Sequence, residues 1–139
     1  MANKPITTTA ALSLTRNSHA GAVVVLDNAT GKTITLPASS GKGDVYTVYI
    51  KTTVSSGNHV IQVANSTDVM NGGVALSTDI GGTNMLASAT SDTITMNGST
   101  TGGLAGSWVR FTDAVSGFWM VEGFLVTTGT EATPWSAAV

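Results

Sequence analysis

The sequence predicts an all-β fold, an antiparallel β-sandwich or barrel of jelly-roll-like type with extended N- and C-terminal segments. Two observations lead to this prediction. Short runs of β-branched and aromatic residues alternate with turns, and the 16 glycines fall mostly between those runs. No segment keeps the apolar period of 3.6 residues that indicates an amphipathic helix. The pattern does not separate a sandwich from a barrel, so both alternatives stay open.

The strongest strand signal lies in residues 107–128, which hold two of the three Trp and all three Phe. Residues 107–112 and 118–128 have strand composition and residues 113–117 have turn composition, which predicts a β-hairpin. A strand that is apolar on both faces belongs in a sheet covered on both sides, by its own chain or by another. The second strand is of this kind, with Phe118, Met120, Phe124 and Val126 on one face and Trp119, Val121 and Leu125 on the other.

Two more hairpins are predicted earlier in the chain. Residues 22–27 and 32–36 flank an Asn-Ala-Thr-Gly turn, and residues 44–51 and 58–64 flank a second turn. Residues 98–106 form a glycine-rich loop. Further strands are predicted at residues 11–15, 74–76, 83–87 and 91–97.

A chain of 139 residues is long enough for one domain with a sizeable core. We divide it into an extended arm of residues 1–10, a single β domain of residues 11–128 and an extended tail of residues 129–139. The arm or the tail can thread into a neighbouring subunit. Trp135, a large aromatic residue in an otherwise plain tail, is predicted to anchor on this chain's core or on a neighbour.

The composition predicts that much of the surface is covered by other chains. Hydrophobic residues make up 42% of the sequence and charged residues only 10%, against about 25% charged in a typical soluble domain. Isolated proteins rely on charge for solubility, so copies of this chain are expected to lie against each other or against a larger assembly. The alternative is a surface kept soluble by Ser and Thr hydroxyls. The candidate contact residues are Phe118, Trp119, Met120, Phe124, Trp108 and Trp135.

Glu122 is a special case within this set of apolar positions. It lies between Met120 and Phe124 on one face of the predicted strand, and an unpaired charge in a covered face is costly. Arg110, on the other strand of the hairpin, is the candidate partner for a structural or intersubunit ion pair.

Composition also argues against several classes of partner. The net charge is −2 and the six basic residues are scattered, so no basic stripe is available for nucleic acid. No run approaches the roughly 20 apolar residues of a membrane span, and the first residues lack the apolar core of a signal peptide. Without cysteine, the chain has no disulfide framework and no thiolate metal site.

No motif predicts chemistry, so we expect no catalytic, cofactor-binding or metal-binding residues. The Gly-Lys-Thr fragment at residues 31–33 resembles the end of a phosphate-binding loop, but Leu26 stands where that motif needs its first glycine. His19 and His59 have no second ligand at a metal spacing. Residues 68–73 lack the alternating oxygen ligands of a calcium loop, and no Gly-x-Ser-x-Gly nucleophile motif is present.

The order of several segments resembles a known family. Residues 14–50, 60–72, 91–103 and 129–138 are similar, in the same order, to small virion structural proteins of tailed bacteriophages, of the capsid decoration or cement type. The resemblance covers most of the chain and implies a β-rich, non-enzymatic subunit that forms a homotrimer. It also implies binding to the major capsid protein on the exterior of the head, after synthesis in the cytoplasm of the host bacterium. It assigns no contact residue.

The expected function is therefore that of a capsid decoration protein, which self-associates and stabilises the head, with no enzymatic activity and no cofactor. An alternative is a phage tail-fibre module, or a β module that binds a receptor or a carbohydrate. Such sites present exposed aromatic residues along a groove, and the tryptophans are the candidates for that role. A small hydrolase is disfavoured because no nucleophile and base can be named together.

Overall fold

The computed structural model describes residues 4–139, of which nearly all regular structure is β: 46% strand and 3% helix. Two sheets pack face to face, which confirms the predicted all-β sandwich. The elements, in chain order, are β1 (Ile6–Thr8), β2 (Leu12–Ser13), α1 (Arg16–His19), β3 (Val23–Leu26), β4 (Thr33–Thr35), β5 (Val45–Ile50), β6 (His59–Gln62), β7 (Val69–Ser77), β8 (Gly82–Leu86), β9 (Thr93–Met96), β10 (Trp108–Val115), β11 (Phe118–Val126) and β12 (Trp135–Ser136).

The larger sheet has seven strands in the order β1-β3-β5-β10-β11-β7-β8. The smaller sheet has five, in the order β12-β9-β6-β4-β2. Both sheets are mixed, whereas the sequence predicted antiparallel pairing of jelly-roll-like type. Parallel pairs join β1, β3 and β5, and also β2, β4 and β6, and β7 runs parallel to β11.

The first six strands alternate between the two sheets, so the chain winds around the core as a coil. Each strand from β3 to β6 lies parallel to the strand two before it in the sequence. Parallel neighbours need a connection that returns to the same end of the sheet, and here the strand in the opposite sheet makes that return. The core fills the space inside this coil.

Both early hairpins predicted from the sequence are wrong. Strands β3 and β4 lie in different sheets, and so do β5 and β6. Their turns are corners that stack on each other: the Gly31 N–H donates to the Ser56 carbonyl at 2.7 Å. A Cβ on Gly31 would lie 2.3 Å from the Asn58 carbonyl oxygen, so this glycine permits the close approach of the two corners. Turn composition is the same for a corner and for a hairpin.

The later hairpin is confirmed, with β10 antiparallel to β11 and a bulge between Asp113 and Val115. β7 begins at Val69, earlier than the predicted strand at residues 74–76, because it follows β11 in register along all of its length. The connection at residues 16–21 contains the short helix α1.

The core lies between the sheets and is almost entirely apolar. Trp119 on β11 meets Tyr46 on β5 edge to face, with ring centroids 5.7 Å apart. Burying side chains of this size contributes about 1.5–3 kcal/mol each. The largest fully buried side chains are Trp119, Tyr46, Phe111, Leu26, Ile34, Leu36, Ile50, Ile61, Met70, Leu76, Ile94 and Met96.

Both ends of the described chain join this chain's own sheets as edge strands. β1 pairs with β3, and β12 pairs with β9. Trp135 is 8% exposed, and its indole Nε1–H donates to the Met85 carbonyl at 3.0 Å. The Ala138 N–H donates to the Asp92 carboxylate at 2.8 Å. The tail thus anchors on this chain's own core, which is one of the two alternatives that the sequence left open for Trp135. Residues 1–3 of the arm lie outside the described residues.

Candidate contact surface

The face of the larger sheet that points away from the core, hereafter the outer face, carries most of the exposed apolar side chains. Alternate residues of each strand point to this side. Leu86 is 77% exposed and Met120 is 51% exposed. Eight large apolar side chains are exposed in the described residues, and six of them are on the outer face: Val23, Leu86, Val115, Phe118, Met120 and Phe124.

Strand register aligns three aromatic side chains across the middle of this face. Tyr49 on β5 pairs with Trp108 on β10, and Trp108 pairs with Phe124 on β11. Tyr49 and Trp108 are half-buried and Phe124 is exposed. Residues opposite each other on neighbouring strands lie about 5 Å apart, so the three side chains form one continuous row.

The next row holds an ion pair. Arg110 pairs with Glu122 in the register, and the Arg110 Nε–H donates to Glu122 Oε1 at 2.7 Å. A second guanidinium nitrogen, Nη2, donates to the same oxygen. This confirms the predicted partner of Glu122, although both side chains are about half exposed. The seven strands of the larger sheet contain one other charged residue, Asp113, which points to the inner side.

A shallow depression of about 410 Å³ lies beside this ion pair. It exists because Gly73 and Ala75 on β7 are small where their neighbours on β8, β10 and β11 are large. The side-chain amide of Asn84 and the free Oε2 of Glu122 make no hydrogen bond within residues 4–139. The lining residues are Gly73, Val74, Ala75, Asn84, Leu86, Trp108, Glu122 and Gly123.

The structure separates the six candidate contact residues into two groups. Phe118, Met120, Phe124 and Trp108 lie on the outer face, as a contact role requires. Trp119 is fully buried and Trp135 nearly so, both in this chain's own core, so these two are corrected to core residues. Both faces of β11 are largely apolar, and Glu122, which shares the face of Met120 and Phe124, was the sign in the sequence that this face is the outer one.

Besides Val115, which the sequence analysis placed in the hairpin turn, sequence reasoning missed three members of the outer face: Val23, Tyr49 and Leu86. Each lies on a strand whose position in the larger sheet depends on pairing with distant residues. Their alternation within each strand was visible, but the sheet to which each strand belongs was not.

At one end of β10, the buried Asp113 carboxylate holds the loop of residues 37–43. It accepts hydrogen bonds from Ser39 Oγ at 2.8 Å, from Ser40 Oγ at 2.8 Å and from the Gly41 N–H at 2.8 Å. Burial acts to raise the pKa of Asp113, but the hydrogen bonds from Gly41, Ser39 and Ser40 outweigh it and the net pKa is lowered. The carboxylate is thus a structural anion whose acceptor sites are already used.

His59 is buried and is held as a neutral imidazole. The Lys32 N–H donates to its Nδ1 at 3.1 Å, and Nε2 lies 3.0 Å from the Asn28 carbonyl, so Nε2 carries the proton. Burial lowers the pKa of His59. With both ring nitrogens bonded to backbone, the imidazole has no nitrogen free to act as a base or as a metal ligand.

Within residues 4–139, no group of three or more His, Cys, Asp or Glu side chains is arranged to hold a metal ion. No helix in that range is both long and apolar enough to cross a membrane. Comparison with models of protein families, with curated proteins and with solved structures gave no match.

Proposed function

We propose that this chain is a bacteriophage virion structural protein, a capsid decoration or cement protein that self-associates and binds the outside of the head to stabilise it. The observation that carries the proposal is the outer face of the larger sheet. It is broad, apolar and nearly uncharged, and residues 4–139 leave it uncovered. Exposed apolar patches of this kind mark interaction surfaces.

The sparse charge of the whole chain supports the same proposal. With 10% charged residues, the molecule has little electrostatic repulsion to prevent association with its neighbours. A decoration protein is repeated many times on one shell, so each contact can be weak while the assembled layer is stable. The proposed partners are further copies of this chain, as the homotrimer that the resemblance implies, and the major capsid protein. The proposed location is the capsid exterior, after synthesis in the host bacterial cytoplasm, and no enzymatic activity is proposed.

The proposal is tested by locating the chain on intact particles of the phage that encodes it. Gold-labelled antibody against the chain is expected on the heads in electron micrographs. Label confined to the tail would support a tail-fibre module, and particles without label would contradict a virion role.

A second measurement asks whether the outer face makes the contact. Heads lacking the protein are incubated with purified chain, and bound protein is counted after sedimentation. Met120→Lys is expected to lower binding at least ten-fold, because it places a charge in the face through which the copies associate, and binding to the head by many weak contacts depends on that association. Ile80→Lys is the matched control, since Ile80 is 94% exposed but lies in the turn between β7 and β8. Equal binding by both variants would contradict the role of the outer face.

A receptor- or carbohydrate-binding β module is the second candidate, favoured by the depression beside Trp108. An aromatic wall together with Asn84 and a free carboxylate oxygen of Glu122 is a combination that suits a sugar ring. A glycan array is the test: a reproducible ligand that is lost in Trp108→Ala would support this candidate. An array without any ligand would count against it.

A further inference from the structure

We infer that the outer face binds the outer face of a second copy of this chain, related to the first by a two-fold axis that runs along the strands between β10 and β11. The inference rests on the self-association in the proposed function, names the face that makes the contact, and gives a two-fold dimer in place of the homotrimer that the resemblance implies.

The strand order of the larger sheet fits such an axis. Six strands, β3-β5-β10 and β11-β7-β8, lie three on each side of the β10–β11 boundary, with β1 beyond β3. Rotation by 180° about this line places β10 of one copy over β11 of the other. It likewise places β5 over β7 and β3 over β8. Each cross-strand row then faces the same row of the second copy, in reversed order.

The charges are self-complementary under this rotation. Arg110 and Glu122 occupy the same row on the two central strands. Arg110 of one copy therefore faces Glu122 of the second copy, and the reverse holds at the same level. Both bonds within one copy go to Glu122 Oε1, which leaves Glu122 Oε2 and Arg110 Nη1 for the facing pair. The Arg110 and Glu122 side chains of the two copies then alternate in sign, so no charge is left unpaired when the face is covered.

Side-chain sizes on β5 and β7 are complementary as well. In the aromatic row, Tyr49 of one copy faces Ala75 of the other. In the ion-pair row, Thr47 faces Gly73. The larger side chains of β5 thus enter the depression that Gly73 and Ala75 create. This depression is hereafter called the socket, because it receives side chains of the second copy. Such size matching is what close packing requires.

The outermost strands also match in character. Val23 on β3 faces Leu86 on β8, which pairs two exposed apolar side chains. The six strands span five spacings of about 4.8 Å, and the nine residues of β11 extend about 3.3 Å each, so the face covers on the order of 700 Å² on each copy. A standard stable interface buries about 800 Å² on each partner, so the face has the size of a dimer contact.

The experiment measures the mass of the full chain in solution over a wide concentration range, by light scattering and sedimentation. The wild type is expected to reach twice the 14.0 kDa of one chain. Arg110→Glu or Glu122→Arg alone brings four like charges together and is expected to weaken dimerisation at least ten-fold. The double variant with both changes restores alternating charges and is expected to restore the dimer. A contact with any other partner has no reason to be rescued by this exchange.

Ala75→Trp is a second variant, which fills the socket without altering charge, and it is expected to yield monomers. Ile80→Lys is the control and is expected to dimerise as the wild type does. Circular dichroism of each variant shows whether the fold is retained.

A dimer that is unaffected by the charge reversals and by Ala75→Trp would overturn the inference. A trimer would overturn the two-fold inference while supporting the proposed function. If the chain is a strict monomer but the antibody finds it on phage heads, the inference alone is overturned. If it is a monomer and is absent from the particles, both the inference and the proposed function are overturned.

Discussion

At the residue scale, Asp113 ties together parts of the chain that lie far apart in the sequence. Its carboxylate fastens Ser39, Ser40 and Gly41 to the end of β10, and Ser39 also reaches Asp68 through its N–H at 2.8 Å. The sequence showed Asp113 only as a turn residue, because its hydrogen-bond partners lie more than 70 positions away and no neighbouring residue indicates them. The loop of residues 37–43 is therefore held by two carboxylates, of which Asp113 makes most of the contacts.

Asp113→Asn is expected to destabilise the fold at pH 7 by about 1–3 kcal/mol, because an amide nitrogen would face N–H and O–H donors. The folded pKa of Asp113 lies below its ordinary value of 3.8. The stabilisation from this group is thus complete above pH 3.8 and is lost as the pH falls through the folded pKa. Urea unfolding between pH 7 and pH 2 measures both effects, and the variant should lose less stability on acidification. Asp79→Asn, in an exposed turn, controls for the lost charge, and equal stability of the two variants would contradict the role of Asp113.

His59 gives a second residue-scale prediction. Burial holds the pKa of His59 in the folded chain below the ordinary 6.5. As the pH falls below 6.5, the unfolded chain therefore takes up a proton at this ring while the folded chain keeps it neutral. Stability from this group is present above pH 6.5 and is lost as the pH falls towards the folded pKa. NMR titration of the imidazole should give a midpoint below that of the same residue in urea. Equal midpoints would show that burial does not keep the ring neutral.

At the element scale, the connections between strands place some glycines in tight packing and leave others in open space. The loop after β9 contains a glycine of the first kind. Gly98 has a φ of +80°, and a Cβ there would lie 2.0 Å from the Val54 carbonyl oxygen. Gly43 has a similar φ of +77° with nothing within 4 Å of such a Cβ. The two glycines look alike in sequence, but only Gly98 is a packing position.

Gly43→Ala is expected to cost about 1–2 kcal/mol, which is the price of the left-handed backbone alone. Gly98→Ala carries that cost plus a collision with backbone, and is expected to lose on the order of 4 kcal/mol or to fail to fold. Thermal unfolding of the two variants side by side separates the two terms. Equal losses would mean that the loop at residues 97–103 moves aside without cost.

At the scale of the whole molecule, the winding of the first six strands interlocks the two sheets. Strands that follow each other in the sequence from β1 to β6 belong to opposite sheets. The edge strands β1 and β12 come from the two ends of the described chain. We expect such a topology, dominated by pairings between distant residues, to fold slowly and as one unit.

Unfolding in guanidinium is therefore expected to give a single transition that coincides in two signals. Fluorescence of the buried Trp119 and Trp135 reports the core, and far-UV circular dichroism reports the strands. Two separate midpoints, measured at a fixed protein concentration, would show that the larger sheet survives without the smaller one.

The sequence by itself determined the β class, the hairpin of β10 and β11 and the ion pair of Arg110 with Glu122. These features depend on alternation and turn residues within about twenty neighbouring positions. Only the tertiary structure decided that the turns after β3 and β5 are corners between sheets. It alone placed Trp119 and Trp135 in the core and left Phe118, Met120 and Phe124 outside. The physical reason is that β11 is largely apolar on both sides, so the covered face was chosen by strands that pair across long stretches of chain.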